Sequence, residues 1–200
     1  NVWDVKVAIE RGEPVRVTVL DVQVTGEGAP AGNIPIGDES EPGLAAALRR
    51  FRPRVGEVFD HGLYEQSKRG VERALLRYGF FDFDATRQRV EVSRGQRSAE
   101  VRLHWESGPR FRFGELRFTG AQFPPAFMQR FASFERGEPF DHARLELLQQ
   151  RLAQSEYFGQ IVVAPDPEAA SGGEVPVNVT LTPALRTVYT AGLLIDSDYG

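Results

Sequence analysis

Apolar and polar residues alternate with a two-residue period in three separate segments of the chain, residues 5–10, 101–106 and 177–183. This period is typical of a β-strand that buries one of its faces. A proline ends each segment or follows it within a few residues, and proline cannot donate a hydrogen bond to a strand ladder. The pattern predicts three strands, each of which closes a structural unit.

The residues that follow the first two of these strands also match each other. Residues 17–26 align with residues 111–120 without a gap, and both stretches end in Thr-Gly. The apolar phase slips once between Val19 and Val22, and it slips at the aligned place in the second copy. A one-residue slip turns side chains to the opposite face of a sheet. We therefore predict that each copy contains a β-bulge, or a linker that leads into a strand, at this place.

A hexapeptide recurs as Gly-Glu-Val-Phe-Asp-His at residues 56–61 and Gly-Glu-Pro-Phe-Asp-His at residues 137–142. The aspartate of each stands where a helix N-cap accepts hydrogen bonds from the first backbone N–H groups. The phenylalanine before it and an apolar residue in the next turn have the spacing of a hydrophobic staple. Apolar residues then recur at helical spacing, so we predict long helices over 58–80 and 139–157.

Shorter helix-forming runs precede the hexapeptides, and strand-like stretches follow the long helices. The short runs cover residues 44–51 and 124–131, and the stretches cover residues 80–92 and 158–165. Each copy has the order strand, short helix, long helix, strand, strand. This order predicts an α+β fold that is present twice in the chain.

This order of elements, with its Gly-Glu-x-Phe-Asp turn and its closing strand at 177–183, resembles the POTRA domain of outer-membrane assembly factors. Within that superfamily, the spacing is most similar to that of the TamA branch. TamA is the barrel subunit of the translocation and assembly module. The resemblance implies tandem POTRA modules of βααββ order, each with a three-stranded sheet and two helices on one face of it.

The resemblance also divides the chain into four parts. Residues 1–10 correspond to the last strand of a preceding POTRA module, and residues 11–107 to a complete POTRA module. Residues 108–183 correspond to the last POTRA module, and residues 184–200 to the start of an outer-membrane β-barrel.

The final segment carries apolar residues on one face of an extended strand: Tyr189, Ala191, Leu193 and Ile195. An outer-membrane strand has such a face, and so does an edge strand of a soluble sheet. The resemblance favours the membrane strand. We therefore expect the tail to lie outside the core of the second module and, when the barrel is absent, either to be mobile or to pair with another chain and so promote self-association.

The resemblance implies a scaffold that is not an enzyme and lies at the periplasmic face of the outer membrane of a Gram-negative bacterium. Its implied partners are a TamB-like protein anchored in the inner membrane, unfolded outer-membrane or autotransporter clients, and the outer membrane itself through the barrel. The general barrel-assembly factor and the two-partner secretion transporters are alternatives within the superfamily. A soluble enzyme built from duplicated α+β domains is an alternative outside it.

The stretch after the second long helix is the predicted docking site for a partner. A POTRA sheet presents the strand in this position at its edge, where unpaired backbone groups accept an extended segment by strand addition. Its centre contains neither proline nor a charged residue, so it is poorly protected against pairing. We predict that partners bind at Gln160, Ile161, Val162 and Val163.

Composition narrows the classes of function. Of the 200 residues, 41% are apolar and 26% are charged, as in ordinary folded proteins. The net charge of −4 argues against a nucleic-acid partner, since such proteins normally carry a basic surplus. The chain has no cysteine, which excludes disulfides, zinc–thiolate sites and thiol catalysis.

The recurring Asp-His pairs, Asp60-His61 and Asp141-His142, are the strongest catalytic candidates in the sequence. They could form an acid–base dyad or a pair of metal ligands. Their recurrence in both copies favours a structural role as helix caps, and His104 alternates outward on its strand. We therefore predict no catalytic, metal or cofactor site.

A cluster of arginines at the end of the first short helix allows a similar choice: Arg49, Arg50, Arg52 and Arg54. The cluster could bind anionic lipid or nucleic acid. Because the whole chain is acidic and cations suit a helix C-terminus, we interpret it as a solvated helix end.

Overall fold

The computed structural model describes residues 12–29 and 43–184. The predictions for residues 1–10 and for the tail at 185–200 lie outside the described residues.

The elements follow one another in the predicted order, twice. The first set is β1 (Arg16–Thr25), α1 (Leu44–Arg49), α2 (His61–Arg77), β2 (Asp84–Ser93) and β3 (Ser98–Glu106). The second set is β4 (Arg112–Thr119), α3 (Pro125–Gln129), α4 (His142–Gln154), β5 (Phe158–Pro165), a short 3₁₀-helix (Pro167–Ala169) and β6 (Glu174–Pro183).

Each set forms a three-stranded sheet with its last strand in the centre. The strand orders are β1-β3-β2 and β4-β6-β5. Strand β1 runs parallel to β3, while β2 is antiparallel to β3 and β5 is antiparallel to β6. The structure confirms the prediction of an α+β fold with two βααββ modules.

The chain divides into two compact units. The first unit comprises the described residues up to Arg112 together with Pro139–Asp141, and the second comprises Phe113–Glu138 and the described residues from His142 onward.

The core of each unit lies between the sheet and the helices. Alternate residues of the central strands are buried, and the long helices contribute one buried stripe each. In the first unit these residues are Ala99, Val101, Leu103 and Trp105 from β3 with Tyr64, Val71 and Leu75 from α2. In the second unit they are Val175, Val177, Val179 and Leu181 from β6 with Leu145, Leu148 and Leu152 from α4.

The long helices begin directly after the predicted cap residues Asp60 and Asp141, and so start later and end earlier than the predicted ranges 58–80 and 139–157. In the first unit, a side-chain oxygen of Asp60 accepts a hydrogen bond of 2.9 Å from the N–H of Leu63, and the Phe59 ring packs on Tyr64. The helix ends at Arg77, before Gly79 with a φ of +86°. A left-handed residue just past the last turn is a common helix stop, which explains why the helix does not continue to residue 80.

The Gly-Glu turn of each hexapeptide pairs with the start of the first strand of its unit. In the first unit, the N–H of Val17 donates to the carbonyl of Glu57 at 2.9 Å, and the N–H of Gly56 donates to Val17 at 2.8 Å. In the second, Phe113 makes the corresponding bonds with Glu138 and Gly137 at 2.8 and 2.7 Å. The recurring motif therefore caps one end of an exposed sheet edge.

These bonds correct the gapless alignment of the two first strands. They make Val17 equivalent to Phe113, whereas the sequence alignment pairs it with Phe111. A register shift between Val17 and Val19 absorbs one extra residue within β1, so the change of phase lies earlier than predicted.

Candidate partner-binding edge

Strand β5 is an edge strand without a charged side chain. The two sheets have four edge strands among the described residues, namely β1, β2, β4 and β5. The other three strands all carry charged residues. Strand β2 has four of them, namely Asp84, Arg87, Arg89 and Glu91. Charges on an edge strand oppose the addition of a further strand, so β5 is the least protected of the four edges.

A hydrogen bond at the end of β5 shows which of its amides face the sheet. The N–H of Asp166 donates to the carbonyl of Pro176 at 2.9 Å, in register with the pairing of Val162 and Thr180. Hydrogen-bonded and non-hydrogen-bonded pairs alternate along an antiparallel ladder. The amides of Val162 and Ala164 therefore point toward β6.

The amides between these point away from the sheet. Ile161 and Val163 occupy the non-hydrogen-bonded positions, so their N–H and C=O groups face the open edge. Pro165 ends the strand and offers a carbonyl without a donor. The edge thus presents two donors with flanking acceptors, the pattern that an added strand requires.

The four predicted docking residues lie together on this edge, on two faces of the sheet. Gln160 and Val162 are exposed, and 47% of the Val162 surface is accessible. Ile161 and Val163 are half-buried and lie on the other face. Because the amide of Val162 faces β6, Val162→Pro would break the ladder, and Val163→Pro is the substitution that removes an outward donor.

The sequence reasoning missed a cluster of aromatic rings beside the start of β5. Phe123, Phe127 and Phe131 recur at four-residue intervals around α3, and Tyr157 and Phe158 join them from the beginning of β5. The four-residue spacing was the available signal, because residues so spaced share one face of a helix.

The two Asp-His pairs lie at the starts of the long helices. Asp60 caps α2, and His61 stacks on Tyr64 with a ring-centroid distance of 5.9 Å. Helix α4 begins directly after Asp141, at His142. Across residues 12–29 and 43–184, no three His, Asp or Glu side chains are grouped so that they could hold a metal ion.

His104 faces outward on β3, as predicted, and contacts Asp21 of β1. Its Nε2 lies 2.8 Å from an Asp21 carboxylate oxygen, and Gln23 donates to the other oxygen at 2.6 Å. Partial burial raises the pKa of Asp21, but the hydrogen bonds from His104 and Gln23 and nearby positive charge outweigh it, so this pKa lies below its usual value. The pair is a cross-strand contact of the outer sheet surface.

The arginines after α1 contact their own unit. Arg52 forms an ion pair with Glu57, and the backbone N–H of Arg54 donates to the same carboxylate at 2.8 Å. The Arg54 guanidinium also donates to the carbonyl of Arg49 at 3.2 Å, at the C-terminal end of α1. These contacts support the interpretation as a helix end. None of the helices in the described parts of the chain is both long enough and apolar enough to cross a membrane.

The chain is similar to one protein family and to several solved structures. The POTRA family model, described as "Surface antigen variable number repeat", matches residues 111–184. POTRA domains 3–5 of BamA from Haemophilus influenzae superpose with a TM-score of 0.52 at 17% identity, over 70% of this chain and 54% of that one. BamA from Haemophilus ducreyi lacking POTRA domains 1–3 gives 0.55 at 12% identity, over 83% of this chain and 29% of that one.

A third structure, POTRA domains 1–2 of Omp85 from Anabaena, gives a TM-score of 0.51 at 15% identity. The match covers 88% of this chain and 100% of that one. By contrast, the chain spans about half of the Haemophilus influenzae structure and less than a third of the Haemophilus ducreyi one. At these identities the likeness is one of fold, and the two units have the fold of tandem POTRA domains.

Proposed function

We propose that the chain forms periplasmic POTRA modules of an Omp85-type protein, which hold partner or client polypeptides beside an outer-membrane barrel. The POTRA match at residues 111–184 and the tandem POTRA fold support this proposal. The role is that of a scaffold, and the candidate catalytic pairs serve as parts of helix starts.

The proposed mechanism is strand addition at β5. The observation that supports this mechanism is an uncharged edge strand whose outward amides belong to Ile161 and Val163. Main-chain hydrogen bonds provide affinity without demanding a particular sequence. An assembly factor that handles many unfolded chains needs this kind of recognition.

The sequence resemblance carries the finer assignment. By this resemblance, the protein belongs to the TamA branch, docks a TamB-like partner anchored in the inner membrane, and handles outer-membrane or autotransporter clients. The segment after Pro183 would then lead into the barrel. A general barrel-assembly factor or a two-partner secretion transporter would use the same edge with other polypeptides, so the identity of the bound chain separates these proteins.

The experiment is photo-crosslinking from the edge in cells. A benzophenone amino acid replaces Val162 on β5 or, as a matched control, Val92 on β2; the two side chains are 47% and 49% exposed. Both lie on edge strands, but β2 carries the charged residues Asp84, Arg87, Arg89 and Glu91, whereas β5 carries none.

We expect polypeptide adducts from position 162 and few or none from position 92, since an added strand places its side chains beside those of the edge strand. Mass spectrometry of the adducts identifies the partner. Equal yields at the two positions, or none at position 162, would contradict docking at β5.

A further inference from the structure

The aromatic cluster at the start of β5 is compact and only partly covered. Ring centroids of Phe123 and Phe127 lie 5.0 Å apart, and those of Phe123 and Tyr157 also lie 5.0 Å apart. Phe127 and Phe131 follow at 5.7 Å. These separations are those of favourable aromatic pairs. The three phenylalanines are nevertheless half-exposed, and Tyr157 keeps 45% of its surface accessible.

The rings and neighbouring polar groups line an open hollow of about 400 Å³. Its walls are Phe127, Phe131 and Tyr157, with Arg130 and Ser155 beside them. The guanidinium of Arg151 also lies close, because it donates to the carbonyl of Phe131 at 3.3 Å. The hollow thus combines apolar ring faces with positive charge, and it is concave.

The hollow continues the edge of β5. The carbonyl of Tyr157 accepts a hydrogen bond of 3.0 Å from the N–H of Ala184, so the ladder with the end of β6 already includes Tyr157. A strand added along β5 and past Phe158 therefore reaches the aromatic walls. Tyr157 and Val162 are also the two large apolar side chains of the described second unit that are most exposed, and both belong to this edge.

We propose that this hollow, bounded by Phe127, Phe131 and Tyr157, is a side-chain pocket for the segment that adds to β5. Its occupant is an aromatic side chain with an acidic residue two positions away, on the same face of the extended segment. The ring faces bury the aromatic group, and Arg130 and Arg151 attract the carboxylate. The inference rests on the proposed strand addition and gives it a preference for sequence.

The shape of the hollow favours a peptide over a lipid surface. Aromatic and basic residues also anchor proteins at membranes, but there the rings must project into the interface. Here they line a recess beside the start of an uncharged edge strand, where an extended segment places one side chain inward at every second residue.

The probes are capped peptides of about nine residues in which threonine and valine alternate, with phenylalanine and aspartate placed two positions apart near either end to allow both strand directions. In control peptides the phenylalanine is replaced by alanine, or the aspartate by serine. Binding of each to the full chain is measured by fluorescence anisotropy. We expect the Phe peptide to bind about tenfold or more tightly than the Ala peptide, because only the former buries a ring.

Two variants of the chain assign this preference to the hollow. Tyr157→Ser should reduce the advantage of the Phe peptide to about threefold or less. Arg130→Gln should remove the advantage of aspartate over serine, which is a few-fold at low salt and is screened at high salt. Arg117→Gln, an exposed arginine of β4, is the matched control and should change neither ratio.

The outcomes separate this inference from the proposed function. If the Phe and Ala peptides bind equally and Val163→Pro abolishes both, strand addition holds and the pocket is wrong. The pocket is also wrong if Tyr157→Ser leaves the advantage of the Phe peptide unchanged. It is wrong as well if the chain binds anionic vesicles through Tyr157 and shows no preference between the peptides. If neither peptide binds wild-type protein, both proposals fail.

Discussion

Two proline substitutions at neighbouring positions of β5 should have very different effects on the stability of the second unit. Val162→Pro removes an N–H that points toward β6 and leaves the carbonyl of Thr180 without its donor. Val163→Pro removes an N–H that faces the open edge. Proline is tolerated on an edge strand only where the missing donor faces solvent.

The expected magnitudes follow from the groups that lose a partner. For Val162→Pro, a lost hydrogen bond of about 1 kcal/mol and an unsatisfied carbonyl of about 1–2 kcal/mol give roughly 2–3 kcal/mol. Val163→Pro loses no bond of the ladder and replaces one half-buried side chain by another of similar size, so about 1 kcal/mol is its upper range. For a domain of this size, the first variant should lower the Tm by about 10 °C or more and the second by a few degrees.

Thermal unfolding followed by circular dichroism measures the stability difference, and amide hydrogen exchange followed by NMR measures its cause. In the wild-type chain, the amides of Val162 and Ala164 should be protected, while those of Ile161 and Val163 should exchange rapidly. Equal destabilisation by the two prolines, or equal protection at Val162 and Val163, would refute the assigned alternation and with it the open edge.

Four further variants test the local structure and its pH dependence. Asp60→Ala should destabilise the first unit by about 1 kcal/mol in urea unfolding, since it removes the N-cap bond of α2. Gly120→Ala should cost more than about 2 kcal/mol, because its Cβ would stand 2.1 Å from a backbone oxygen, whereas Gly137→Ala meets no neighbour and should cost about 1–2 kcal/mol from its positive φ alone. Because the pKa of Asp21 is lowered in the fold, its carboxylate stabilises the protein above the unfolded value of 3.8 and loses this effect as the pH falls through the folded value. Asp21→Asn should therefore be less stable at pH 7 by less than about 1 kcal/mol, and unfolding at a pH well below 3.8 should show no difference.

The parts of the fold that depend on neighbouring residues were predictable from the sequence. The cap of α2 at Asp60 and the buried stripe of α4 follow from spacing within one or two helical turns. The last strand of each unit followed from its alternation, because its buried face is visible in the sequence itself.

The parts that depend on distant partners were not predictable. Hydrogen bonds to Glu57 and Glu138, far along the chain, make Val17 equivalent to Phe113, and the apolar pattern alone favoured another alignment. The outward direction of the Val163 amide depends on the register with β6, which side-chain alternation does not reveal. Tyr157 is likewise remote in sequence from Phe123, the ring that it contacts.

Binding of a polypeptide as a further strand on β5 is tested most directly by amide exchange in the presence of the bound probe. With the Phe peptide at saturation, the exchange of the Ile161 and Val163 amides should slow by about tenfold or more, since each gains a main-chain acceptor. The amide of Val162, already bonded to β6, should change little. Saturable binding that leaves the exchange of Ile161 and Val163 unchanged would contradict the claim.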